Sequence, residues 1–218
     1  MPPYVLVGHS FGALVARVFA ARHVSDVAAM VLVEPAFPED WLQPNDRERQ
    51  RIERGVNLCR RGSFAARVGL ARMVSWLVNA GALAPARAVV ALISRGGVAR
   101  ADEEILAPIW KLPREARGVL KQMWTRAAFF DALGSQIASI SQSAAEVIDA
   151  GDIDHVPLVI VSATNPHPHH VAMQQQLVNR ARQGRRIVAS ASGHWVPLDQ
   201  PEVIVDAVRT IVEEIRSP

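Results

Sequence analysis

The sequence has few of the features that place a protein in a special class. Its 218 residues include one cysteine, Cys59, so an internal disulfide is impossible and nothing requires an oxidising compartment. No apolar run approaches the roughly 20 residues of a membrane-spanning helix, and Met1-Pro2-Pro3 lacks the basic start of a signal peptide. We therefore expect a soluble, cytoplasmic protein without a membrane partner.

Lysine is also scarce, and arginine supplies most of the positive charge in a chain of net charge +3. No basic run is interleaved with aromatic residues, so we expect no nucleic-acid partner. The most basic segment contains Arg47, Arg49, Arg51, Arg54, Arg60 and Arg61. Because Asp46, Glu48 and Glu53 lie among these arginines, the segment favours a solvated helix face over an anion or coenzyme site.

The motif Gly8-His9-Ser10-Phe11-Gly12 lies between an apolar run, Tyr4–Val7, and a stretch of small residues, Ala13–Ala21. This order predicts a strand, a sharp turn and a helix, with the serine at the apex. We expect both glycines to be required because a Cβ at either position would collide with the neighbouring strand or helix. The motif by itself is common, but its context favours a nucleophile elbow over a glycine-rich turn.

Three further segments have the length and apolar character of buried strands: Val27–Val33, Pro157–Ser162 and Arg186–Ser190. A polar helix is expected between the last two, from about His170 to Gln183, with a stop at Gly184. A final amphipathic helix follows Pro201. Strands that alternate with helices predict an α/β fold with a parallel sheet of about four strands.

The stretch 37–149 has helical periodicity and no convincing strand. We predict a core formed by 1–36 and 150–218, and a helical insertion at 37–149. Helix breaks are expected at Gly55, Gly62, Gly81, Pro85, Gly96-Gly97 and Pro113. The aromatic residues predicted to pack in the core of the insertion are Trp76, Trp110, Trp124, Phe129 and Phe130.

A serine nucleophile needs a base and a group that orients the base. In a parallel sheet, such groups lie where the strands end at their carboxyl termini. His194 follows the last predicted strand and precedes the last helix, so its position favours the role of base over that of a core histidine.

The orienting acid is less evident from the sequence. The segment Ala163-Thr164-Asn165-Pro166, after the penultimate strand, contains no acidic residue. Glu34 ends the strand that follows the elbow helix and gives the chain order Ser, Glu, His. A salt bridge between Glu34 and an arginine of the insertion is one alternative. Asp199 is another candidate acid, although its place before Pro201 suits a helix cap.

Three histidines occur in His167-Pro168-His169-His170, and such tracts can bind metals. No carboxylate or cysteine stands close by in the sequence to complete a ligand set. We therefore expect a polar loop at the rim of the site, with no metal and no cofactor.

Three segments together resemble the α/β-hydrolase superfamily, in its esterase-like and cap-bearing branch. They are Gly8–Arg17, Val31–Pro35 and Ser192–Pro201. The resemblance skips the insertion, which lies where the family places its cap or lid. It implies Ser10, Glu34 and His194 as a catalytic triad and the N–H of Phe11 as an oxyanion donor. An acid at the position of Glu34 is a family variant seen in haloalkane dehalogenases, whose nucleophile is aspartate.

The sequence departs from this family at its start. Family members carry roughly 70 to 100 residues of sheet before the elbow strand, including a His-Gly-type loop that supplies a second oxyanion donor. We therefore expect a partial α/β-hydrolase fold, from a fragment or from a start placed too late.

Two functions are consistent with these features. One is hydrolysis of a carboxylic ester, with a small acyl substrate chosen by the cap. The other is a non-catalytic remnant or binding module. Thioesterase, haloperoxidase, carbon–carbon hydrolase and acyltransferase chemistry would use the same residues.

Overall fold

The computed structural model describes residues 1–94, 111–112 and 114–217. They form two units, one of Met1–Gln43 with Ser141–Pro218 and one of Pro44–Ile140. No helix among the described residues is both long and apolar enough to cross a membrane.

The first unit contains a parallel sheet of four strands in the order β1-β2-β3-β4. The strands are β1 (Tyr4–His9), β2 (Val27–Val33), β3 (Leu158–Ala163) and β4 (Gly184–Ala189). Val33 is opposite both His9 and Val161 in the register, so β1 and β2 end at one level and β3 runs two residues further. The α/β fold with four parallel strands is confirmed.

The first unit also contains α-helices. They are α1 (Phe11–Arg22), α2 (Glu39–Leu42), α8 (Ile140–Ala150), α9 (Pro168–Arg180), α10 (Val196–Asp199) and α11 (Pro201–Arg216). Met30, Leu32 and Ile160 pack with residues of α1 and α9, whereas Val31 and Val161 pack with residues of α11. Because both faces are covered, β2 and β3 are continuous apolar runs.

A buried polar cluster joins α9 to the sheet. The Nε atom of Arg186 donates to Ser162 Oγ at 2.8 Å and to Gln174 Oε1 at 2.9 Å. Ser162 also donates to Gln174. The side chains of Ser162 and Gln174 are buried but have partners, as buried polar groups require.

Strand β1 pairs with β2 and has no second strand neighbour among the described residues. Its side chains Tyr4 and Val7 are exposed, Val7 to 52%. The elbow strand is therefore at an edge of this sheet.

The described part of the second unit is helical. Its helices are α3 (Asp46–Arg67), α4 (Leu70–Asn79), α5 (Leu83–Ser94), α6 (Arg114–Trp124) and α7 (Ala127–Ala138). Asn45 begins α3 with a capping box, in which its side chain accepts from Glu48 N at 3.1 Å and Glu48 Oε2 accepts from Asn45 N at 2.7 Å.

Several predicted helix breaks are wrong. Gly55 and Gly62 lie inside α3, and Pro85 lies in the first turn of α5. Gly62 is a contact point instead, because a Cβ there would overlap the ring of Phe130 on α7. The break at Gly81 is confirmed, with φ of +77°. The breaks at Gly96-Gly97 and Pro113 lie outside the described residues.

Two other expectations need correction. Helix α9 ends at Arg180, and Gly184 begins β4, where a Cβ would overlap the carbonyl group of Val178. Trp76 is 67% exposed and is not a core residue. Trp124, Phe129 and Phe130 are partly buried. Trp110 lies outside the described residues.

Candidate active site

Ser10 lies at a sharp turn between β1 and α1, with φ of 53° and ψ of −120°. A positive φ at a non-glycine residue is strained and persists where its surroundings enforce it. Here the Ser10 N–H donates to the Val33 carbonyl at 3.0 Å, and the Ser10 carbonyl accepts from Ala13 N at 3.0 Å and Ala36 N at 3.2 Å. These hydrogen bonds hold the serine between two strand ends and the start of a helix.

The two glycines of the motif differ in what they do. A Cβ at Gly8 would lie 2.7 Å from the carbonyl oxygen of Gly12, so the turn requires glycine at this position. A Cβ at Gly12 would meet nothing within 4 Å among the described residues. The expectation that both glycines are sterically required is therefore correct for Gly8 and wrong for Gly12.

The loop between β4 and α10 brings His194 to the serine. The Nε2 atom of His194 lies 3.1 Å from Ser10 Oγ, although the two residues are 184 positions apart. Ser192 holds the loop, since its carbonyl accepts from Thr164 N at 3.0 Å and its Oγ donates to Asp199 Oδ2 at 3.1 Å. Asp199 thus contacts the loop that carries His194.

Glu34 lies just after β2, also with a positive φ, of 41°. Its Oε2 atom is 3.7 Å from Nδ1 of His194, an ion-pair distance, and its Oε1 atom accepts from the Ala163 N–H at 2.6 Å. The Glu34 N–H donates to the Val161 carbonyl at 2.8 Å. At the carboxyl ends of the strands, the imidazole therefore lies between the serine hydroxyl and the carboxylate.

The charge of Glu34 is supported by its surroundings. Burial by itself would raise the pKa of this carboxyl, whose side chain is 14% exposed. Interaction with the His194 imidazole, the Ala163 hydrogen bond and the nearby His170 outweigh burial and bring the pKa below its ordinary value. Glu34 is thus ionised at neutral pH.

His9 contacts the loop that carries His194. The only sign of this contact in the sequence is the position of His9 beside Ser10. Its Nε2 atom lies 2.8 Å from the carbonyl oxygen of His194, and its ring is 4.9 Å from that of His194 and 5.6 Å from that of Trp195. Burial lowers the pKa of His9 below 6.5, against the opposing effect of this hydrogen bond. The ring is therefore mainly neutral at pH 7, and because a carbonyl only accepts, Nε2 carries the proton.

The histidine tract contacts an acidic residue, Asp40, that is far away in the sequence. Asp40 Oδ2 lies 3.1 Å from Nε2 of His170, 130 residues away, and Asp40 Oδ1 lies 3.5 Å from Nε2 of His169. His167 caps α9 by accepting from His169 N at 3.2 Å. Within the described residues, no three His, Cys, Asp or Glu side chains are grouped to hold a metal ion.

Phe11 is the first residue of α1. The N–H groups in the first turn of a helix have no acceptor within that helix and are directed toward anions. Its N–H is thus suited to face a negative charge that develops beside Ser10.

A parallel sheet whose strand-to-helix turn presents a serine to a histidine from a later loop is the arrangement of an α/β hydrolase. The model of the alpha/beta hydrolase family matches residues 1–207, and the chain belongs to that family. No curated protein matches the chain.

Solved structures support the same fold. An alpha/beta hydrolase fold protein from Burkholderia ambifaria is 18% identical with a TM-score of 0.57, over 95% of this chain and 66% of that chain. The haloalkane dehalogenase DatA from Agrobacterium tumefaciens C58 is 16% identical with a TM-score of 0.60, over 99% of this chain and 68% of that chain. The chain thus spans about two thirds of the length of these proteins, and the likeness shows the fold.

Proposed function

We propose that this chain carries the catalytic serine, base and acid of a hydrolase for carboxylic esters or related acyl compounds. The observation that carries the proposal is the series of contacts from Ser10 through His194 to Glu34, at 3.1 and 3.7 Å. This order of groups is the one that activates a serine hydroxyl.

The reaction has two halves. The Ser10 hydroxyl gives its proton to Nε2 of His194 as Oγ attacks the acyl carbon, and the alcohol leaves with that proton. Water then gives a proton to the same nitrogen, attacks the acyl-enzyme and releases the acid, and the proton returns to Ser10 Oγ. Glu34 orients the imidazole and stabilises its cationic form in both halves.

The oxyanion of each tetrahedral intermediate would accept a hydrogen bond from the N–H of Phe11. Loss of one such donor costs about 3–4 kcal/mol of transition-state stabilisation. The rate of the reaction therefore depends strongly on a second donor, which the family resemblance assigns to a loop before the elbow strand.

The nucleophile distinguishes this chain from the dehalogenase whose fold it shares. An aspartate nucleophile forms an ester with an alkyl group, and water cleaves that ester. A serine nucleophile would form an ether with the alkyl group, and water does not cleave an ether as it cleaves that ester. Ser10 therefore favours acyl substrates, including esters and thioesters, over haloalkanes.

Labelling with a fluorophosphonate, which reacts with activated serines, tests the proposal. We expect the wild-type protein to be labelled at Ser10 and Ser10→Ala to be unlabelled. Ser25→Ala, a change at an exposed serine, is the matched control and should label like the wild type. Labelling that persists in Ser10→Ala would contradict the assignment. Unlabelled wild-type protein would favour the non-catalytic alternative.

A further inference from the structure

Two consecutive helices of the second unit each expose apolar and basic side chains. We define this basic apolar surface by its members Arg60, Phe64, Arg67, Val68, Arg72, Met73 and Trp76. Phe64 is 65% exposed and Trp76 is 67% exposed. Soluble proteins rarely expose such large apolar side chains in a group unless the group contacts something.

The spacing of these residues places them on the exposed faces of their helices. Arg60, Phe64 and Arg67 follow one another at intervals of four and three residues on α3, so they share a face. The side chains of Cys59, Ser63 and Ala66 are buried. On α4, Arg72 and Trp76 are four residues apart and exposed.

Among the described residues, the positive charge of this surface has little local compensation. The sequence contains eight arginines and no aspartate or glutamate from residue 54 to residue 101. Arg67 pairs with Asp131 at 2.8 Å. Arg60 and Arg72 have no acidic partner within the part of the chain that the structure describes. The acids that balance the first turns of α3 all precede residue 54.

The mixture of side chains indicates the kind of partner. Nucleic acid or an acidic peptide would form ion pairs with the arginines but would leave Val68 and Met73 without an apolar contact. A bilayer with anionic headgroups satisfies both kinds of side chain, because arginines bind lipid phosphates while aromatic and aliphatic groups enter the acyl boundary. We propose that the basic apolar surface docks this protein on an anionic lipid bilayer.

In this contact the protein binds at the surface of the membrane and does not span it. The expectation of no membrane partner was based on the lack of a spanning segment, which an interfacial contact does not need. The proposal is independent of the hydrolase reaction, since it concerns binding by residues outside the candidate active site.

Sedimentation with lipid vesicles tests the proposal on the full 218-residue chain. We expect the protein to sediment with vesicles of phosphatidylcholine and phosphatidylglycerol, but not with phosphatidylcholine alone, and to dissociate as salt is raised. Tryptophan emission should shift to the blue on binding. Trp76→Phe should keep most of the binding but lose most of that shift.

Two double variants separate the contributions of charge and apolar contact. Arg60→Gln with Arg72→Gln should weaken vesicle binding about 5-fold for each arginine removed. Phe64→Ser with Trp76→Ser should weaken it at least about 10-fold. Val205→Ser is the control, since Val205 is also exposed but belongs to the other unit. Circular dichroism verifies that each variant is folded.

Three results would overturn the proposal. The first is wild-type protein that stays in the supernatant with anionic vesicles at low salt. The second is binding that both double variants retain. The third is binding of duplex DNA or polyglutamate through the same arginines without binding of vesicles, which would identify a different partner.

Discussion

At the scale of single residues, the carboxylate that faces His194 is the most informative position to change. Glu34→Gln keeps the size of the side chain and an oxygen for the Ala163 N–H but removes the charge beside Nδ1. We expect kcat for a p-nitrophenyl ester to fall by about 10⁴, with KM little changed, as for loss of the orienting acid in a serine triad. Ester kinetics on folded protein measure this effect.

Asp199→Asn is the comparison for that experiment. It changes the carboxylate that accepts from Ser192 Oγ, so it should lower kcat far less than Glu34→Gln does. Equal losses in the two variants, or an unchanged kcat in Glu34→Gln, would move the acid away from Glu34.

Protonation of Glu34 should also affect stability. Its pKa in the folded protein is below the ordinary value of 4.5, so its contribution is fully present above pH 4.5 and is lost as pH falls through the folded pKa. The free energy of unfolding of Glu34→Gln should thus differ from that of wild type by an amount that shrinks on acidification. Denaturant titrations between pH 3 and 7 measure it. A difference that stays constant across that range would contradict the role of the charge.

His9 is expected to position the loop that carries the base. His9→Leu removes the donor to the His194 carbonyl and should lower kcat between about 10- and 100-fold, because small displacements of a base are costly. His9→Gln offers an N–H to the same oxygen and should recover part of the loss. His155→Leu, at an exposed histidine, is the control. Equal activity of His9→Leu and His9→Gln would show that the hydrogen bond is unimportant.

At the scale of elements, the turn between β1 and α1 makes different demands on its two glycines. Gly8→Ala places a Cβ 2.7 Å from the Gly12 carbonyl oxygen and should destabilise the fold by about 1–3 kcal/mol through overpacking. Gly12→Ala meets no neighbour within 4 Å among the residues that the structure describes and favours the helix, so it should be neutral or stabilising by up to about 1 kcal/mol. Thermal melts of this matched pair measure the difference, and similar losses in both would contradict it.

At the scale of the whole molecule, we expect the exposed edge of the sheet to promote association in solution. Strand β1 exposes Val7 and has free backbone groups on one side among the described residues, which favours association between edges. We expect the chain to aggregate at high concentration and Val7→Lys to reduce light scattering. Val205→Lys places the same charge on α11 and should not reduce it. Equal scattering by Val7→Lys and wild type would exclude β1 as the site of association.

Much of the first unit was predictable because its signals are local. The apolar runs of β2 and β3 indicate that both faces of the sheet are covered, and the motif around Ser10 indicates a sharp turn. The interior of α3 was not predictable in this way. Gly62 has the low helix propensity of any glycine, yet it lies inside α3, where the ring of Phe130 takes the space that a Cβ would need.

The sequence by itself determined the apolar strands, the serine at the strand-to-helix turn and the loop that holds His194, since each depends on residues adjacent along the chain. Tertiary structure decided which groups meet: His194 with Ser10, Glu34 with His194, His9 with the His194 carbonyl, and Asp40 with His170. The reason is the sheet register. Val33 aligns with His9 and Val161, so loops far apart in sequence emerge at the same end of the sheet, and a register is a property of paired strands.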